Sequence, residues 1–287
     1  MDRAQPVSRQ RWCGALLLAA LSGCAALKSP ESPAERADAQ AQARQFQPVA
    51  VLAGTPVRAW LRQPARAPVD ADATLTVYIE GDGAEWRGKF EPPADPTPDN
   101  ALSLRLALRD PATRVAYLGR PCQYLDADAL AHCPSILWQR ARYGEHAVTI
   151  MSAALDVLLL TANVRRLRLV GYSGGGAIAA LLAAQRTDVS CLVTVAAPLD
   201  TETWAEAIEI TPLADSLNPL ALAPRLASLA QTHIAGAADD VVPARTLRRF
   251  AEALPDARVE VIEGYDHDCC WVHAWERLRL RTCLAES

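Results

Sequence analysis

Three stretches of this chain carry residue types that can exchange protons and form a covalent bond with an electrophilic carbon. The first is Gly171-Tyr172-Ser173-Gly174-Gly175. A β-favouring run, residues 167–170, leads into it, and the small-residue run 177–184 follows. A strand that meets Gly-x-Ser-x-Gly and becomes a helix places its serine at the tip of a sharp turn, with the hydroxyl presented outward. Glycine on either side lets strand and helix approach closely. The N–H of Gly174 then lies at a helix N-terminus, where it can meet a developing oxyanion. A phosphate-cradling loop would need a Lys-Ser/Thr pair or Gly-x-Gly-x-x-Gly, and neither is present.

The second stretch is His233-Ile234-Ala235-Gly236-Ala237-Ala238-Asp239-Asp240-Val241-Val242-Pro243, and the third is Glu263-Gly264-Tyr265-Asp266-His267. Each follows an apolar run with strand character. Serine, acid and histidine therefore fall at three strand ends, and ligands of parallel α/β sheets sit beyond such ends. Histidine can act as a base near neutral pH, and a carboxylate can hold its tautomer. The order Ser, Asp, His and the pattern Gly236-x-x-Asp239-x-x-Val242-Pro243 resemble the α/β-hydrolase superfamily across residues 47–283.

The resemblance implies Ser173 as nucleophile, His267 as general base and Asp239 as its partner, with Asp240 as the rival acid. It implies an oxyanion hole made by the N–H groups of Gly174 and Asp82. Glu80-Gly81-Asp82-Gly83 stands where many members carry a His-Gly motif. Here Glu80 replaces the histidine, and the Asp82 carboxylate would repel an oxyanion unless turned away. Trp86 is a candidate for lining the pocket or for packing. The activity implied is ester hydrolysis through an acyl-enzyme on a small-molecule or lipid-like ester, without a cofactor or metal. Peptidases and thioesterases share this machinery, and a non-catalytic envelope protein that uses the scaffold for binding is a further alternative. A competing set, His267, Cys269, Cys270 and His273, has spacing that can bind zinc.

The N-terminus carries Arg3, Arg9 and Arg11 before an apolar run, residues 12–21, too short to span a bilayer. It ends in Leu21-Ser22-Gly23-Cys24, which resembles the lipobox of bacterial lipoprotein signal peptides. That resemblance implies lipidation of Cys24 and removal of residues 1–23, and it identifies the chain with exported lipoprotein serine hydrolases. Ala25 points by the same resemblance to the periplasmic face of the outer membrane. Residues 24–47, polar and alanine-rich, are expected as a solvated tether, with the domain beginning at residue 48.

In an oxidising compartment the remaining cysteines favour disulfides. Cys122 and Cys133 flank a short polar loop and form the first expected pair. Cys283 with Cys270 or Cys269 is the second. Cys191 lies in an apolar run and reads as a small core residue.

The 287 residues are 51% hydrophobic, enough for one sizeable core. A net charge of −4 gives no footprint for nucleic acid. Strands are expected at residues 49–52, 57–61, 74–79, 114–118, 167–170, 189–195, 232–235 and 258–262. Helices are expected at residues 102–108, 138–160 with a break near Gly144, the segment after Ser173, 204–208, 245–254 and 271–280. Proline-broken residues 197–227 can cover the site as a cap. Alternation of strands and helices predicts an α/β fold with a mostly parallel sheet and helices on both faces.

Overall fold

Apolar runs with β-branched residues build eight strands. They are β1 (Gln47–Ala53), β2 (Thr55–Arg62), β3 (Thr74–Ile79), β4 (Val115–Leu118), β5 (Arg166–Tyr172), β6 (Val189–Val195), β7 (Gln231–Gly236) and β8 (Arg258–Ile262). The computed structural model describes Met1 and residues 32–65, 73–84 and 91–285. Cys24 with its lipobox and Trp86 lie outside the described residues. The strands form one sheet in the order β1-β2-β4-β3-β5-β6-β7-β8. β1, β2 and β4 pair antiparallel, and β4 through β8 are parallel across β3.

Both faces of this sheet are covered, as its continuous hydrophobic strands require. On β3, Leu75, Val77 and Ile79 face one core and Tyr78 the other. The first core is closed by α4 (Glu145–Ala162) and α5 (Gly174–Ala183). The second is closed by α1 (Pro33–Gln42), α2 (Leu102–Ala107) and α9 (Trp271–Leu278). Short helices α3 (Ala127–Ala131), α6 (Thr201–Ala207), α7 (Pro219–Leu222) and α8 (Arg248–Ala253) are the remaining α-helices among the described residues. The expected long helix begins only at Glu145, because Gly144 caps it in an extended conformation.

The tether expectation is corrected in part. Residues 33–42, expected as part of the tether, form α1, which docks on the sheet. Ser32 and Glu35 close a reciprocal capping box. Ala37 and Ala41, one turn apart, are buried. The Asp38 carboxylate accepts from the Trp60 indole at 2.8 Å and pairs with Arg58. The sequence offered little to bury here because the helix docks through alanines and one carboxylate, not through large side chains.

Cys122 and Cys133 are joined as expected. The second expectation is corrected: Cys283 pairs with Cys191, not with Cys269 or Cys270. The turn Cys283–Ala285 brings the chain end back onto β6, leaving the two Cα atoms 5.8 Å apart, within disulfide range. Cys269 and Cys270 are joined to each other.

His233, fully buried on β7, is hydrogen-bonded as a neutral ring. The Gln231 amide nitrogen is occupied by the Leu226 and Leu229 carbonyls, so its oxygen accepts from His233 Nε2 at 3.0 Å. Nδ1 then accepts from the Thr194 hydroxyl at 2.9 Å. Burial lowers the His233 pKa to about 3. The unfolded chain therefore binds a proton that the fold refuses as pH falls below about 6.5, the reference value for histidine. His233 should impose a loss of stability of up to about 1.4 kcal/mol per pH unit between about 6.5 and 3, and none above. Urea unfolding between pH 7 and 4 should show a flatter slope for His233→Gln than for the parent protein; equal slopes would contradict this assignment.

Candidate active site

Strand β5 delivers Ser173 at its C-terminal end, and the residue adopts φ 52° and ψ −130°, outside the ordinary regions for a side-chain-bearing residue. Its N–H donates to the Val195 carbonyl at 2.9 Å, tying the turn to the end of β6. The turn is packed so closely that a Cβ on Gly175 would collide with the carbonyl oxygens of Ile79 and Glu80. That contact carries the end of β3 and the residues after it to the serine. Ser173 itself remains partly exposed.

The loops after β7 and β8 bring the acid and the histidine. His267 Nε2 lies 3.1 Å from Ser173 Oγ, and His267 Nδ1 lies 2.9 Å from Asp239 Oδ2. The Asp239 side chain has no exposure, and its other oxygen accepts from the N–H groups of Val241 and Val242 at 3.0 and 2.7 Å. Nδ1 therefore carries the hydrogen toward Asp239, which leaves Nε2 free to accept from the serine hydroxyl. Asp240, the rival acid, points into solvent.

The histidine loop is held by its backbone. The His267 carbonyl accepts from Trp271 Nε1 at 2.8 Å and from the Tyr172 hydroxyl at 3.1 Å. The Tyr172 ring packs on the imidazole with centroids 5.1 Å apart. Asp266 caps the N–H groups of Asp268 and Cys269. Because Cys269 and Cys270 bond each other, neither offers a thiolate, so the competing zinc set loses its two sulfur ligands.

Gly81 abuts the Ser173 side chain, and the Asp82 carboxylate rests on Gly174. Asp82 thus lies beside the serine, but its charge does not stand alone. Oδ1 pairs with Arg120 at 3.1 Å; Oδ2 pairs with Arg142 at 3.1 Å and accepts from the Tyr143 hydroxyl at 2.5 Å. Burial alone would raise its pKa, but the two guanidinium groups outweigh it and the carboxyl is held below its ordinary value. One carboxylate against two buried arginines leaves a net positive charge beside the serine. Glu80 turns into the second core. There it accepts from the N–H of Gly81 and the hydroxyl of Tyr117, and burial raises its pKa.

Arg120, Arg142 and Tyr143 were missed in the sequence because they lie 38 to 61 residues from Asp82 in loops without a local pattern. Residues 197–227 contact two neighbouring loops. Trp204 Nε1 donates to the Val241 carbonyl beside the acid, and Ser216 Oγ accepts from the N–H of Tyr143.

No protein-family model and no curated protein matches the chain. Solved structures do. Est1E from Butyrivibrio proteoclasticus superposes with a TM-score of 0.57 at 14% identity, over 83% of this chain and 98% of that one. The Pyrococcus furiosus esterase Pf2001 gives 0.57 at 13% identity, over 84% and 92%. A Mycobacterium tuberculosis puromycin-hydrolyzing peptidase gives 0.60 at 19% identity, over 82% of this chain and 38% of that one. The fold is that of the α/β-hydrolases. The sheet order, the serine turn after β5 and the loops after β7 and β8 fit that architecture.

Removing the Asp82 charge should leave two buried arginines without their anion. Asp82→Asn is therefore expected to cost about 3 kcal/mol of stability at neutral pH. The lowered pKa fixes the sign with pH: the contribution is present above the ordinary carboxyl range and fades as acid protonates Asp82 in the fold. Chemical denaturation of parent and variant at pH 7 and pH 3 should show the gap shrinking on acidification; a gap that is absent at pH 7 would refute the pairing.

Proposed function

We propose that the protein is a serine hydrolase that cleaves carboxylic esters through an acyl-enzyme on Ser173. The observation that carries this reading is the hydrogen-bonded line from Ser173 through His267 to the buried Asp239. In the reaction, Ser173 Oγ bonds to the acyl carbon while its proton passes to His267 Nε2. Asp239 steadies the imidazolium. The N–H groups of Gly174 and Asp82 receive the oxyanion. Collapse expels the alcohol, which takes the proton from Nε2. Water, deprotonated by the same nitrogen, then releases the acid and restores the serine.

The esterase names of two structural neighbours support the ester reading, and the peptidase neighbour keeps amide cleavage as the alternative. A fluorophosphonate should label the purified protein once per chain, at Ser173. Ser173→Ala, His267→Ala and Asp239→Asn should each reduce turnover of a p-nitrophenyl ester by about 10³-fold or more, with losses that do not add in combination. An unlabelled protein, or Ser173→Ala with parental turnover, ends this reading. Faster cleavage of a matched anilide than of the ester would move it to a peptidase.

The reading includes a lipid anchor on Cys24, supported by Leu21-Ser22-Gly23-Cys24 after a basic and apolar leader. Two or more acyl chains suffice for stable membrane attachment. Cys24→Ala should cease to incorporate labelled palmitate in a bacterial host and should leave the membrane fraction; undiminished incorporation would refute the anchor.

A further inference from the structure

The proposed mechanism asks the Asp82 N–H to point at the oxyanion, and something must aim it. In a trans peptide the carbonyl of one residue and the N–H of the next lie in one plane and point opposite ways. The cis bond among the described residues is Cys269–Cys270, so Gly81–Asp82 is trans. Whatever grips the Gly81 carbonyl therefore sets the direction of the Asp82 N–H.

That grip comes from Gln123, which is fully buried. Its Nε2 donates to the Gly81 carbonyl at 3.1 Å and to the Pro96 carbonyl at 3.3 Å. Its Oε1 accepts from the N–H of Arg120 at 2.9 Å. The amide cannot flip, because a flipped group would set oxygen against two carbonyls and nitrogen against an N–H. The other side of Gly81 is held too, since its N–H donates to Glu80 Oε1 at 2.9 Å. Gly83 follows at φ 97°, where any side chain would collide with the Pro96 carbonyl and press on Gln123 Nε2. The turn is thus packed against Gln123 and the Pro96 carbonyl.

Gln123 is itself placed by a stiff loop. Its neighbours Cys122 and Tyr124 both have positive φ. Cys122 is bonded to Cys133, and the N–H of Tyr124 donates to Thr97 Oγ1 at 2.7 Å. We propose that Gln123, carried on the loop closed by Cys122 and Cys133, is the positioning residue of the oxyanion pocket: by holding the Gly81 carbonyl it aims the Asp82 N–H at the transition state. This rests on the acyl-enzyme reading of Ser173.

The test uses the purified full-chain protein and a p-nitrophenyl ester. Gln123→Glu keeps the acceptor for Arg120 but loses the fixed N–H pair toward Gly81 and Pro96, and when ionised it cannot donate to Gly81 at all. Gln123→Met is nearly isosteric, is cheaper to bury than a carboxylate, and lacks both functions, so it carries the test if Gln123→Glu does not fold. With folding verified by unfolding midpoint, kcat should fall about 100-fold, the loss expected for one oxyanion donor. KM should stay within about threefold, because the ground state does not use this bond. Affinity for a trifluoromethyl ketone, whose adduct carries the oxyanion, should fall in proportion to kcat/KM. A merely structural role would not produce that proportionality. A folded Gln123→Met protein with parental kcat overturns the inference. Fluorophosphonate labelling of the parent separates the two failures: a labelled parent with unaffected variants sinks only the role of Gln123, and an unlabelled parent sinks the reading beneath it.

Discussion

The structure depends on one close approach: the backbone at Gly175 lies against the carbonyls of Ile79 and Glu80, where β3 ends. This contact makes the serine turn and the residues 80–83 neighbours, and it tolerates no side chain at position 175. The turn forces Ser173 to positive φ, a cost of order 1–3 kcal/mol that persists because the surrounding structure over-determines it. Strands β5 and β6, buried on both faces, supply that determination. The N–H of Ser173 is committed to Val195, and α5 starts at the next residue.

From this contact the charges follow. A carboxylate pressed against Gly174, at a helix N-terminus, would be a poor neighbour for a second anion. Arg120, Arg142 and Tyr143 take up both of its oxygens. The resulting cluster is positive rather than negative, so the Asp82 carboxylate can stand beside Ser173 without making its surroundings anionic. The arginines are nearly buried, at 4% and 9% side-chain exposure, so solvent does little to screen them. Arginine suits this role because it stays charged when buried and offers several fixed donors.

Legibility in the sequence tracked the distance over which each interaction acts. β6 and β8 match the expected strands because their apolar runs announce themselves locally. Ser173, Asp239 and His267 stood out because each follows such a run, and the structure brings the three side chains into one hydrogen-bonded line. Helix α1 was read as tether because its buried residues are alanines, and its hold on Trp60 depends on a single aspartate. The Cys191–Cys283 bond spans 92 residues and is decided by where the last turn meets β6, which no local pattern records. Arg120, Gln123 and Arg142 look like ordinary loop residues until the fold sets them against residues 81 and 82.

A common device connects these observations. Three of the loops beyond the strand ends are bound at the backbone by side chains. Tyr172 and Trp271 hold the His267 carbonyl, Trp204 holds the Val241 carbonyl beside Asp239, and Gln123 holds the Gly81 carbonyl. A bond to the backbone constrains the peptide plane directly, and so the direction of the neighbouring N–H or side chain. It also leaves the loop's own side chains free for other contacts. Backbone-directed bonds of this kind give loops the precision that sheet pairing gives strands, which is what a site assembled beyond the strand ends requires.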